Sequence, residues 1–141
     1  MAAFNKFNSF VEQLAEKNFN LGTDTLKIVL TLTAPTSANT VLSDLTQIAN
    51  GNGYTTGGTA VTISSSSQTA GVYKLVCADV TFTAAGGSIA PFRYVTLYDD
   101  TAASPADGLI GWWDYGSSLT LASGETFTVD FSASTGVLTI T

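Results

Sequence analysis

The side chains best suited to chemistry in this chain are carboxylates. Six of them, Asp99, Asp100, Asp107, Asp114, Glu125 and Asp130, stand in the C-terminal part around two aromatic runs. Two carboxylates at glycosidase separation can do acid/base work if burial raises the pKa of one of them. The sequence identifies no such pair, and acids on a β-rich surface are ordinarily solvated. Asp99, Asp100 and Asp107 fall in one polar stretch and could instead gather around Ca²⁺ with backbone carbonyls, although their spacing matches no EF-hand. Histidine is absent, which removes the commonest general base and the commonest transition-metal ligand. Cys77 is the only cysteine, so neither an intramolecular disulfide nor a Cys-rich zinc site can form; in its apolar run it reads as a small buried hydrophobe. The glycines between Asn50 and Gly58 lack the Lys-Ser/Thr of a phosphate loop and read as an exposed loop. The expectation is a non-enzymatic chain without catalytic residues, bound metal or cofactor.

Aromatic side chains offer a second chemistry. Trp112, Trp113, Tyr98, Tyr115 and Tyr54 could stack on sugar faces. Adjacent residues of a strand point to opposite faces, however, so Trp112 and Trp113 cannot share one platform, and at least one belongs to a core or an interface. The inward-facing Trp is expected to anchor the core.

The elements that must position these residues centre on Pro91 to Gly116. Phe92 to Tyr98 and Leu109 to Tyr115 read as an antiparallel pair joined by a long loop, Asp99 to Gly108. Neither face of this pair is polar, which places it between packed layers or against a partner. Arg93, the only base after Lys74, lies between Phe92 and Tyr94 and needs a carboxylate; Asp114 on the neighbouring run is the candidate for a structural ion pair.

Ahead of this pair, Phe4, Phe7, Phe10, Val11 and Leu14 recur at helical intervals and predict an amphipathic helix that exits between Asn18 and Gly22. Its Phe stripe can dock on the chain's own sheet, the usual fate of a terminal helix, or on a neighbouring subunit. In the second case Phe4, Phe7 and Phe10, with Trp112 and Trp113, are the interface candidates. Leu26 to Thr33 alternates as a strand, and Val41, Leu42, Leu45 and Ile48 give a short helical pattern. From Thr59 onward the pattern is β throughout, with Ser65 to Gly71 read as a turn. The fold class expected is mainly β, an antiparallel β-sandwich of jelly-roll type covering residues 23–141, preceded by an N-terminal amphipathic helical segment over residues 1–22.

Composition narrows the partners. Charged residues make up 11 % of the chain against the usual share of about 25 %, and Ser, Thr, Asn and Gly supply the polarity. With a net charge of −6 and no cluster of bases, nucleic acid and anionic membrane surfaces are not expected partners. No apolar run approaches the roughly 18 residues of a membrane span, and no signal-peptide core is present, so a protein made and kept in a cytoplasm is expected.

Several segments together resemble a known group. The opening Met1-Ala2-Ala3-Phe4-Asn5-Lys6-Phe7, the join Asn20 to Lys27, the turn Gly86 to Tyr94 and the run Ile110-Gly111-Trp112-Trp113-Asp114-Tyr115-Gly116 resemble small structural proteins encoded by tailed bacteriophages. The resemblance implies a virion component produced in a host cytoplasm. It also implies a capsid decoration, or cement, role on the outer shell, with the major capsid protein or other virion proteins as partners and a homo-oligomer such as a trimer. A tail-associated or receptor- or carbohydrate-binding component is the alternative.

Overall fold

The protein is described by a computed structural model covering residues 2–141. It is mainly β, with antiparallel sheets throughout. The ten strands are β1 (Asn5–Lys6), β2 (Leu26–Thr31), β3 (Thr59–Ala60), β4 (Ile63–Thr69), β5 (Val72–Cys77), β6 (Val80–Thr83), β7 (Ile89–Ala103), β8 (Ala106–Leu121), β9 (Thr126–Val129) and β10 (Leu138–Ile140). One α-helix, α1 (Asn8–Ala15), and one 3₁₀ turn, Leu42–Asp44, complete the regular structure. A five-stranded sheet in the order β1-β8-β7-β2-β3 packs with a three-stranded sheet, β10-β5-β4, and a two-stranded sheet, β6-β9. All three feed one apolar core: Ile28, Leu30 and Leu97 come from the first, Leu75 and Leu138 from the second, Val80 and Phe82 from the third.

The β7–β8 pair is longer than the sequence predicts. Asp99 to Gly108 is not a long loop. Both strands continue through it to the Ala103↔Ala106 pair, and only Ser104-Pro105, joined by a cis peptide, makes the turn. The pair is buried on both faces. Val95, Leu97 and Trp113 join the main core, while Tyr98 and Leu109 form a second cluster with Phe7 and Val29. A β-bulge separates the two phases: Leu97 pairs with Gly111 and Tyr98 with Leu109, leaving Ile110 unpaired and turned into the main core. The second cluster is covered by the connection between β2 and β3, from which Leu42 and Leu45 pack against it.

The predicted helix starts later than its Phe spacing suggests. Asn5 and Lys6 pair with Trp112 and Gly111 as a short edge strand, and helix begins only at Asn8. Phe4 and Phe7 therefore straddle β8. The Phe4 ring lies over Gly111 and meets Trp113 at 5.4 Å; Phe7 meets Trp112 on the opposite face at 4.6 Å. A Cβ on Gly111 would collide with the Phe4 ring, so this position needs glycine for the close approach. Lys17, at φ 67°, ends the helix just ahead of the exit expected between Asn18 and Gly22. The segment before Gly22 is part of the fold, since Phe7, Phe10, Phe19 and Leu21 are all buried.

Two further elements differ from expectation. Ser65 to Thr69 is strand, and only Ala70-Gly71 turns into β5. In the Asn50 to Gly58 loop Tyr54 is buried: its hydroxyl donates to Gln47 Oε1 at 2.8 Å, and the Gln47 oxygen also accepts from Gly57 N. Gly58, at φ +79°, lies so close to the Ile28 carbonyl that no side chain fits.

Trp113 is 9 % exposed and Trp112 only half-buried. Trp113→Ala is expected to destabilise the fold by about 3–5 kcal/mol in urea denaturation, and Trp112→Ala by less.

Candidate functional site

The side chains that gather on the outside of this frame lie where β8 leaves the core. Trp113 and Tyr115, two apart on one face of β8, meet Phe127 of β9 and Phe131 beyond it. Tyr115 and Phe127 are 5.5 Å apart edge to face, and Trp113 and Phe131 5.7 Å. Phe92 adds a further edge contact to Phe127 at 5.0 Å. Offset and edge-on rings hold one another by quadrupole attraction as well as by buried area, so the arrangement is stiff. Trp113, Tyr115, Phe127 and Phe131, with Val95 and Val137, line a pocket of about 200 Å³. Its polar lining comes from Thr128 and Asp130, and Tyr115 stands half-exposed among the wall residues. A space of this size and character suits one apolar ring or a branched aliphatic group, since an apolar cavity of about 150 Å³ stays dry and accepts benzene. It is smaller than the ~300 Å³ at which pockets for drug-sized ligands begin.

The five aromatics considered as a sugar platform do not come together. Tyr54 and Tyr98 are buried, Trp113 is core, Trp112 packs on Phe7, and Tyr115 alone is exposed. The side chains considered as interface anchors are likewise engaged within the chain. Phe7 and Phe10 are 0 % and 3 % exposed, and Phe4 packs against the core beside Trp113. As external anchors, Phe7, Phe10 and Trp113 are unavailable in the folded chain.

Most acids are occupied in holding turns or bases. Arg93 Nε and a terminal guanidinium nitrogen donate to the two Asp114 oxygens at 2.8 and 3.0 Å, a fork-to-fork pair on a half-exposed surface. The Arg93 guanidinium holds the Asp114 carboxyl below its usual range. Asp114 also accepts from Gly116 N, Glu125 from Ala122 N, and Asp44 from Thr40 N and Val41 N. Asp100 pairs with Lys27 at 3.0 Å. Asp99, Asp100 and Asp107 do not converge, and no group of three potential metal ligands forms among the described residues. Burial pushes the Cys77 thiol up to about 11.

One acid stands apart. Asp99 is fully buried, facing the same side as Leu26. Its Oδ1 accepts from Thr101 N and Ala102 N, and its Oδ2 has no hydrogen-bond partner. Burial first, and then the Asp24 carboxyl within hydrogen-bonding reach, push Asp99 up to about 7. Two carboxyls can share that contact only while one keeps a proton. Composition alone places Asp99 in a loop, which hides its burial. Its phase with Leu97 on a continued strand is the signal that marks it as inward-facing. It lines none of the pockets around the aromatic cluster or α1.

A last surface is β4. Every residue from Ser64 to Val72 is exposed, on both faces of the strand. Comparison with known protein families, characterised proteins and solved structures finds no match for this chain.

The Asp99 proton gives a pH dependence of defined sign. Its folded pKa lies above the unfolded value, so the stability it carries is complete below 3.8 and is lost as pH rises through about 7. Asp44 and Asp114, whose carboxyls are lowered, act oppositely and only as pH falls below 3.8. Thermal melts of the wild type are expected to fall across the upper window. Asp99→Asn keeps the acceptor and adds a donor toward Asp24, so its melts should stay level there. An equal decline in both proteins would show that the Asp24–Asp99 contact is not its source.

Proposed function

We propose that this chain is a non-enzymatic structural component of a tailed-phage particle. Within that class, the reading is a capsid decoration protein that binds the outer shell through the major capsid protein and through its own copies. The observation that carries this reading is the character of the surface. It is poor in charge, several of its acids are tied up in holding turns or bases, and a long hydroxyl-bearing strand lies open. Such a surface suits attachment by backbone pairing and many weak contacts in a repeating assembly, where neighbours raise the effective concentration. The resemblance of the N-terminal, Gly86 to Tyr94 and Ile110 to Gly116 segments to phage structural proteins points the same way. On this reading the three sheets close as a β-sandwich of jelly-roll type, supported by a core drawing side chains from all of them. The protein would reside in the virion after synthesis in the host cytoplasm; no helix among the described residues is long and apolar enough to cross a membrane.

The half-exposed Tyr115 on the aromatic pocket favours a second reading, a tail-associated or receptor-binding component that holds an apolar or sugar group there. Copy number separates the two. Quantitative gels or a symmetric reconstruction of purified particles are expected to show the chain at many equivalent shell positions. A few copies at one vertex would reject decoration in favour of the tail component, and absence from particles would reject both.

A further inference from the structure

We propose that β4 is a self-association edge, through which two copies of this chain pair their β4 strands antiparallel about a twofold axis. The inference rests on the strand edge alone and does not depend on a phage role. β4 ends the β10-β5-β4 sheet, so one side of its backbone is paired with β5 and the other is open. Open strand edges template further pairing, and proteins ordinarily blunt them with shortness, charge, proline, bulges or a covering element. The terminal strands of the other sheets are shorter, although β8 also runs on past its two-residue pairing with β1. β1 and β3 are two residues long, β6 and β9 four, and β10 three with α1 beside it across a shared cavity. β4 has seven residues, and its bulge lies at one end, between Ile63 and Ser65, leaving Ser65 to Thr69 regular.

The chemistry of the edge selects a second copy as its occupant. No Asp, Glu, Lys or Arg occurs between Asp44 and Lys74, so two β4 strands of a chain of net charge −6 can meet without like charges on the pairing strands themselves. Ser64-Ser65-Ser66-Ser67 places a hydroxyl at each position, and a hydroxyl both donates and accepts. Antiparallel self-pairing centred on this run sets Ser opposite Ser, a favourable cross-strand combination. The pairing is isologous, using the same edge of both copies, so it closes as a dimer.

Ser65 and Ser67 are exposed, lie on one face of β4 and touch each other at 3.3 Å, so charges can be placed there without disturbing the core. Ser65→Glu/Ser67→Glu is tolerated within the subunit because Lys74 lies opposite Ser67. Sedimentation of the purified full chain is expected to show a dimer, and this variant is expected to raise the dissociation constant more than about tenfold. Its melting temperature, measured dilute enough for both proteins to be monomeric, should be unchanged. Ser65→Lys/Ser67→Lys should also be weakened alone, and mixing the two variants should restore a heterodimer. A wild-type monomer at about 100 μM, a dimer indifferent to the Glu variant, or oppositely charged variants that fail to associate would each overturn the proposal.

Discussion

A strand pair buried on both faces must present apolar side chains in both directions, and most of this structure follows from how β7 and β8 meet that demand. Strict alternation serves two faces with equal populations, but the layers here are unequal. The main core draws on three sheets, whereas the second cluster has only a connection and Phe7 to cover it. The Ile110 bulge resolves the mismatch by giving the main core one additional large side chain and shifting Trp112 to the thinner side. Because a bulge also fixes the local twist and register, the same residue keeps the long hairpin from slipping by one position and reversing its faces.

The parts of the fold legible in sequence are those where one physical signal acts alone. Leu26 to Thr31 alternates cleanly, and the two aromatic runs are too apolar to be anything but interior strands. Arg93 and Asp114 could be matched because a lone base in an apolar stretch has few possible partners. Elsewhere two signals conflict. Phe4 and Phe7 are spaced as on a helix face, yet three residues also suffice for a chain to pass around a strand edge and place a ring on each side. Ser65 to Thr69 has turn composition, and pairing with β5 overrides it, as tertiary context commonly does for strands. Asp99 was hidden for the same reason. Its identity suggests solvent, and only the continuation of β7 shows it to be in phase with Leu97.

The acids illustrate how a chain with few charges employs them. A carboxylate that accepts backbone N–H groups substitutes for secondary structure where the chain turns, and Asp44, Asp114 and Glu125 all do so near the surface. Asp99 performs the same task at Thr101 and Ala102 in a dry setting, where the charge itself is unwelcome. Beside it Thr25 N donates to Thr101 Oγ1 and Asp100 N donates to the Thr25 carbonyl, which ties the segment after α1 to β7 at a second place besides the β1–β8 pairing.

The placement of β1 bears on the order in which the molecule comes together. Asn5 leaves the ribosome 107 residues before Trp112, whose carbonyl its side chain engages. The N-terminal strand thus has no native neighbour during most of synthesis, and its Phe rings must wait, or be shielded, until the hairpin exists. Contacts that close so long a stretch of chain are entropically late and make for slow assembly. β1 can therefore take its place on β8 only once that strand exists, although it is made well before it.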